Sequence, residues 1–150
     1  MKEAYATTGV PATRNWRAWA TQFSTVPYVS ATHGGRYVMN YSNTVGARAY
    51  GEYEDLTEMP RSSVLIKDSF SANANGTLSV GPLFMMEKMG PGFNADTADW
   101  RYYMFMPDGT LFGVTGGQNS AGLTFCHECH EAMADTDHMW FLPEEYRVSN

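Results

Sequence analysis

The chain has two cysteines, which stand three positions apart with a histidine directly after the second. Residues 126–130 read Cys-His-Glu-Cys-His, which matches the Cys-x-x-Cys-His attachment signature of c-type heme. Thioether bonds from Cys126 and Cys129 can reach the two vinyl groups on one edge of a porphyrin. The imidazole of His130 then lies under the ring, where its neutral nitrogen is a good ligand for iron. The sequence therefore predicts one covalently bound heme c per chain, with His130 as the axial ligand of its iron.

Three other uses of a cysteine pair at this spacing stay open. A zinc site could combine the cysteines with His127, His130 or His138, although structural zinc usually has a second ligand pair and the sequence shows none. A redox-active dithiol normally follows a strand of a βαβ unit near the start of a domain, whereas this pair stands near the end of the chain. The third alternative is a structural disulfide.

The other histidines have no spacing that marks them as iron ligands. His127 occupies a variable position of the signature, so we expect it at the surface. We expect His33 and His138 to have local structural roles rather than to supply a sixth ligand. One of the ten methionines could do so, but none is marked by its position.

Composition excludes several classes of partner. The net charge is −6 and the only lysines are Lys2, Lys67 and Lys88, so no basic surface for nucleic acid is expected. No apolar run approaches the roughly twenty residues that span a bilayer. Aromatic residues make up 14% of the chain, which suits the wall of a large flat apolar ligand and equally suits an ordinary core.

The first ten residues lack the apolar segment of a secretory signal. Heme is attached to cysteines outside the bacterial cytoplasm. We therefore expect that a leader has been removed from this sequence and that the protein resides in the periplasm.

Hydrophobic spacing and turn residues predict the elements that position the motif. Residues 13–23 have the spacing of an amphipathic helix capped by Thr13. Strands are expected at 37–41, 63–70 and 78–88, the last two around the Asn-Gly of residues 73–76. A second hairpin is expected from 99–106 and 110–114 around Pro-Asp-Gly, followed by a loop at 116–120. A short helix over 125–134 carries the motif, and a polar tail begins at 142–143. These elements indicate one domain over residues 1–150, with an α+β fold that is mostly antiparallel β and has a helix near each end.

The chain resembles the cytochrome P-460 family, which includes the cytochromes c-prime-beta. The likeness lies in the late position of the heme motif and in five segments that occur in the family's order: 32–40, 64–70, 99–102, 125–130 and 135–146. It implies a β-rich, sandwich-like domain with flanking helices, usually a homodimer, and a five-coordinate heme with one open face. The family's enzymes oxidise hydroxylamine to nitric oxide and nitrous oxide and carry a lysine bonded to a meso carbon of the porphyrin. The c-prime-beta relatives lack that bond and bind nitric oxide or carbon monoxide.

Lysine is therefore the residue type that separates the two activities. Lys67 matches the family's lysine-bearing strand and follows three apolar residues, where burial would lower its pKa and expose a nucleophilic amine. The alternative is a surface lysine whose ammonium reaches water. Lys88 is a second candidate for the bond, and Lys2 is terminal.

Three functions stay open at this point. The first is hydroxylamine oxidation at an open iron, with electrons passed to a redox partner protein. The second is a non-catalytic module that binds nitric oxide or carbon monoxide, and the third is an electron-transfer cytochrome c with a sixth ligand. A proton-accepting group near the iron would be needed for oxidation. The carboxylate candidates are Asp68, Asp96 and Asp99, and the candidates for an aromatic cap over the open face are Phe70, Phe84 and Phe93.

Overall fold

Eight antiparallel strands form the sheet of this protein, in a computed structural model that describes residue 5 and residues 8–148. The strands are β1 (Thr21–Gln22), β2 (Tyr28–Ser30), β3 (Arg36–Ser42), β4 (Val64–Ala72), β5 (Leu78–Val80), β6 (Leu83–Lys88), β7 (Trp100–Phe105) and β8 (Leu111–Val114). Their order is β1-β3-β4-β6-β7-β8, with β2 also paired to β3 and β5 to β4. The helices are α1 (Trp16–Trp19), α2 (Thr44–Tyr50) and α3 (Thr124–Glu131), joined by several short 3-10 turns. The predicted α+β fold with mostly antiparallel strands is confirmed.

Both predicted hairpins are present, with one interruption. The turn between β4 and β5 is closed by hydrogen bonds from the Asn73 amide to the Thr77 carbonyl and from the Gly76 amide to the Asn73 carbonyl. The strand expected over 78–88 breaks at Gly81 and Pro82 into β5 and β6, because proline has no amide hydrogen for the ladder. Both pieces pair with β4.

The helix expected over residues 13–23 is wrong in extent. Only α1 is α-helical, Thr13 belongs to a preceding 3-10 turn, and residues 21–22 pair with β3 as β1. Trp16 and Phe23 are both buried, but they belong to two different apolar clusters. The chain therefore passes from one side of the sheet to the other, and a single amphipathic helix could not serve both clusters.

The two faces of the sheet carry different clusters. Side chains alternate along a strand, so Leu65 of β4 belongs to one cluster while Val64 and Ile66 belong to the other. The helix face, with Leu65, packs against α2, α3 and the segment 139–142. The amino-terminal face, with Val64 and Ile66, packs against Trp16 and Tyr5.

The carboxyl-terminal elements cover the helix face. Helix α3 is three residues shorter than expected at its end and is followed by a 3-10 turn over Ala134–Thr136. The expected polar tail is docked: Leu142 is buried, and Arg147 donates to its carbonyl and pairs with Ser24. Within the described part of the chain, no helix is long and apolar enough to cross a membrane.

Candidate heme site

A cavity of about 300 Å³ lies between the helix face, α3 and the segment 139–141. Cys126, Cys129, His130 and Lys67 all line it. Three of these side chains come from one helix and the fourth from the centre of the sheet. The tertiary structure therefore brings the four predicted site residues together around one space.

His130 is arranged as a ligand with one nitrogen free. Its Nδ1 lies 2.7 Å from the carbonyl oxygen of His138, and a carbonyl can only accept, so Nδ1 carries the hydrogen. Nε2 then presents its lone pair. Burial lowers the pKa of His130 to about 4, an effect opposed by the hydrogen bond to His138. The imidazole is therefore neutral at pH 7, which is the form that binds iron.

The two cysteines occur as free, half-buried thiols. Burial, and then the neighbouring Cys129, raise the pKa of Cys126 to about 12, so it is not an activated redox thiol. All strand pairs are antiparallel, so the βαβ setting of a redox dithiol is missing from the described chain. Among residues 5 and 8–148 there is also no group of three or more His, Cys, Asp or Glu side chains that could hold a metal ion. These findings give no support to the dithiol, disulfide or zinc alternatives.

Lys67 occupies the middle of β4, with Asn40 of β3 and Phe84 of β6 as its register partners. It shares the helix face with Leu65, two positions earlier. Burial lowers the pKa of Lys67 to about 8, against a smaller opposing effect of Cys129. A substantial fraction of neutral amine is therefore present near pH 8, which is not the state of a surface lysine.

Lys88, the second candidate for a porphyrin bond, lies elsewhere. Its ammonium donates to Asp137 at 2.6 Å and to the carbonyl of Ala98 at 3.0 Å, and the side chain is buried. It is not among the residues that line the cavity.

The carboxylates expected near the iron are misplaced for that role. Asp68 is the neighbour of Lys67 on a strand, so it points to the amino-terminal face, where it pairs with Arg17 at 2.9 Å. Asp99 accepts hydrogen bonds from the amides of Gly92 and Asn94. Asp96 lines a separate cleft of about 200 Å³, as does the half-buried His127. None of the three lines the cavity that holds Lys67 and His130, whose described lining contains no carboxylate.

Two aromatic side chains that face the cavity are Phe84 and His33. Their rings meet edge to face with centroids 4.7 Å apart, and Nδ1 of His33 lies 2.8 Å from the hydroxyl of Ser30. The other expected cap residues are outside: Phe70 stacks on Tyr37, and Phe93 lies under the guanidinium of Arg101. His33 therefore has a place in the site that its sequence position did not indicate.

The cavity fits a large flat apolar group. Aromatic and aliphatic side chains make up most of its wall, among them Tyr28, Tyr50, Leu65, Met86, Met139 and Phe141. Phe125 and Trp140 also line it, although they are 51% and 44% exposed, and a bound group would cover such apolar surface. The buried hydroxyl of Tyr102 has no hydrogen-bond partner among the described residues, so a bound molecule or water can complete its bonding. Together with the two thiols and the free Nε2 of His130, these features fit heme.

Sequence reasoning missed the backbone groups that support the motif. The carbonyl of His138 accepts from His130, and the indole of Trp140 donates to the carbonyl of Cys129 at 3.1 Å, which satisfies a group at the end of α3. Every residue has the same backbone carbonyl, so no sequence pattern could have identified the one that supports His130.

Comparison with known proteins gives one family. No curated protein matches the chain. A model of the family described as Cytochrome P460 matches residues 13–141, a range that contains all four cavity residues proposed above. Because that match covers most of the chain, this protein belongs to the cytochrome P460 family and is a heme-binding cytochrome.

Proposed function

We propose that the chain carries one c-type heme, joined to Cys126 and Cys129 and ligated by His130, and that it oxidises hydroxylamine to nitric oxide or nitrous oxide. The observation that carries the proposal is that both cysteines, the free Nε2 of His130 and the amine of Lys67 border the same cavity. A redox partner protein would receive the electrons.

Heme, when bound, supplies an iron that binds hydroxylamine and accepts its electrons. The chain's own residues hold and tune it. The His138 carbonyl keeps the hydrogen of His130 on Nδ1, which makes Nε2 a stronger donor. The apolar wall of the cavity would exclude water from the bound group.

Lys67 is proposed as the residue bonded to the porphyrin. Its lowered pKa makes the neutral amine available at mildly alkaline pH. Forming a bond from its nitrogen to a meso carbon removes one hydrogen from each atom, so the step needs a two-electron oxidant such as a peroxide. The meso carbon stays part of the conjugated ring, and the attached nitrogen donates electron density into it, which should shift the main absorption band to longer wavelength.

His33 is proposed to receive protons from the substrate. Burial lowers its pKa strongly, so the imidazole is neutral, and its Nδ1 is engaged by Ser30 while Nε2 is left for a second partner. Because burial disfavours the charged ring, His33 would relay protons rather than store them, accepting one at Nε2 while Nδ1 releases one towards the hydroxyl of Ser30.

The second candidate is a gas-binding module like the cytochromes c-prime-beta. The absence of carboxylates from the described lining favours it, because binding nitric oxide or carbon monoxide needs no proton acceptor. The two candidates differ in whether Lys67 is bonded to the ring.

The test is made on the protein purified from a bacterium that exports and matures it. Heme should stay with the polypeptide on a denaturing gel and in acid–acetone extraction. After proteolysis, mass spectrometry should find a heme peptide that contains Lys67 as well as residues 126–130, and the protein should oxidise hydroxylamine in the presence of an electron acceptor. Free extraction of heme would refute covalent attachment. Lys67 recovered unmodified, with no turnover but intact nitric oxide binding, would favour the gas-binding module.

Localisation and assembly are proposed on the family resemblance. Heme attachment to cysteines implies a periplasmic protein, and cell fractionation tests this. A homodimer is expected, and an exposed apolar row across β2 to β5, with Val29, Tyr37 and Leu78, offers a surface for it. A monomeric mass in light scattering would refute the dimer.

A further inference from the structure

A buried ion pair lies behind the axial histidine. The ammonium of Lys88 is 2.6 Å from a carboxylate oxygen of Asp137, and the two side chains are 9% and 7% exposed. Removing two charges from water is costly, and a buried pair of this kind often adds little to stability. Its presence therefore calls for a different explanation, such as fixing one arrangement of the chain.

Asp137 is held from three directions. Besides Lys88 on β6, the amide of Met59 donates to the second carboxylate oxygen at 2.8 Å. The indole of Trp100 on β7 donates to the backbone carbonyl of Asp137 at 2.9 Å. The sheet and the segment before β4 thus fix both the side chain and the backbone of this residue.

The backbone at this point is strained. Asp137 and His138 both have positive φ, 53° and 63°, which non-glycine residues rarely adopt, and here two of them are consecutive. Such a conformation persists only where the surrounding contacts impose it. The contacts of Asp137 with Lys88, Met59 and Trp100, here called the Asp137 clamp, impose it.

The strained segment presents the carbonyl that His130 uses. The next residue after Asp137 is His138, whose carbonyl accepts from Nδ1 of His130 at 2.7 Å. The His138 amide in turn donates to the carbonyl of Met133 at 2.8 Å. A change in the Asp137 clamp would move the His138 carbonyl, because Asp137 and His138 are joined by one peptide unit.

We propose that Lys88 and Asp137 are positioning residues for the axial ligand: their ion pair fixes the backbone that holds the His138 carbonyl against Nδ1 of His130, and thereby sets the electron-donating strength of that imidazole. This inference rests on the proposed ligation of heme by His130 and does not depend on the substrate. A carbonyl acceptor on the far nitrogen makes the imidazole a stronger donor and favours ferric iron.

The test uses the heme-loaded protein and the double variant Lys88→Met, Asp137→Asn, which leaves no uncompensated charge and is therefore expected to fold. Its reduction potential should rise by at least about 59 mV, which for one electron corresponds to a tenfold change in the equilibrium constant for reduction. The iron–histidine stretching band in the resonance Raman spectrum of the ferrous protein should move to lower frequency. The single variant Lys88→Met should change both quantities in the same directions.

Asp68→Asn is the matched control, since it removes the charge of another buried carboxylate, 4% exposed and paired with Arg17, on the opposite face of the sheet. It should leave both the potential and the band unaltered. A folded double variant with the potential and the band of the unaltered protein would overturn the proposal, as would equal changes in Asp68→Asn. Failure of the unaltered protein to bind heme through His130 would refute the proposed function and this inference together, whereas a lack of hydroxylamine oxidation alone would leave this test intact.

Discussion

Replacing Lys67 with methionine should stabilise the heme-free protein at pH 7. Partial burial of the side chain lowers the pKa of Lys67 from 10.5 to about 8. Each pKa unit corresponds to about 1.4 kcal/mol, so keeping the charged form in the folded protein costs on the order of 3 kcal/mol. Methionine has a similar length and no charge, and the variant should recover most of that free energy.

The gain in the free energy of unfolding should become smaller as the pH rises. The cost is fully present below pH 8 and is relieved as the pH rises from about 8 towards 10.5, because the unfolded chain binds more protons than the folded chain in that range. Urea unfolding of both proteins, made without export so that the cysteines stay unmodified, should therefore show a large difference at pH 7 and a small one at pH 10.5.

The contrast is Lys88→Met, the same substitution at a lysine that has a buried partner. It should destabilise the protein by about 3–5 kcal/mol, because Asp137 is left as an uncompensated charge. Equal stability of Lys67→Met and the unaltered chain at pH 7, or a difference that does not change with pH, would refute the argument that burial of the amine is costly.

Further outcomes are expected at the site and in the fold. Substituting alanine for Cys126 and Cys129 together should abolish retention of heme on a denaturing gel. The ferrous protein should bind carbon monoxide readily, and a low-spin spectrum that added ligand does not alter would instead indicate an electron carrier. His33→Ala should reduce hydroxylamine turnover by about 10²–10⁴-fold and leave nitric oxide binding intact, whereas unchanged turnover would exclude His33 as the proton acceptor. Gly46→Ala normally favours a helix, but here the added Cβ would lie 2.8–3.0 Å from three side-chain atoms, the carbon of Met59 among them, so calorimetry should show a loss of about 1–3 kcal/mol.

Local chemistry explains which elements could be predicted. The hairpin turns contain Asn-Gly and Pro-Asp-Gly, and the flanking residues alternate, so their strands were found with small errors at the ends. The helix over residues 13–23 failed because helical spacing of apolar residues assumes that they share one partner surface. Trp16 and Phe23 instead pack on opposite sides of the sheet.

Strand geometry alone could have excluded one of the three carboxylate candidates. Lys67 and Asp68 are neighbours on a strand, so their side chains must point to opposite faces. Since Lys67 lines the cavity, Asp68 is excluded from it. Asp96 and Asp99 lie in a turn, and their distance from the cavity could not be obtained from the sequence.

The sequence by itself predicted the chemistry of heme attachment, because Cys126, Cys129 and His130 occupy about one turn and a half of helix and need no distant residue to define their spacing. It also marked Lys67 through its apolar strand and the family resemblance. Only the tertiary structure decided what surrounds them. His33 joins the cavity across the sheet, and the pair of Lys88 and Asp137 spans 49 positions of the chain. The carbonyl of His138 is a backbone group common to every residue, so its role depends on the three contacts that hold Asp137 beside it and on no feature of its own side chain.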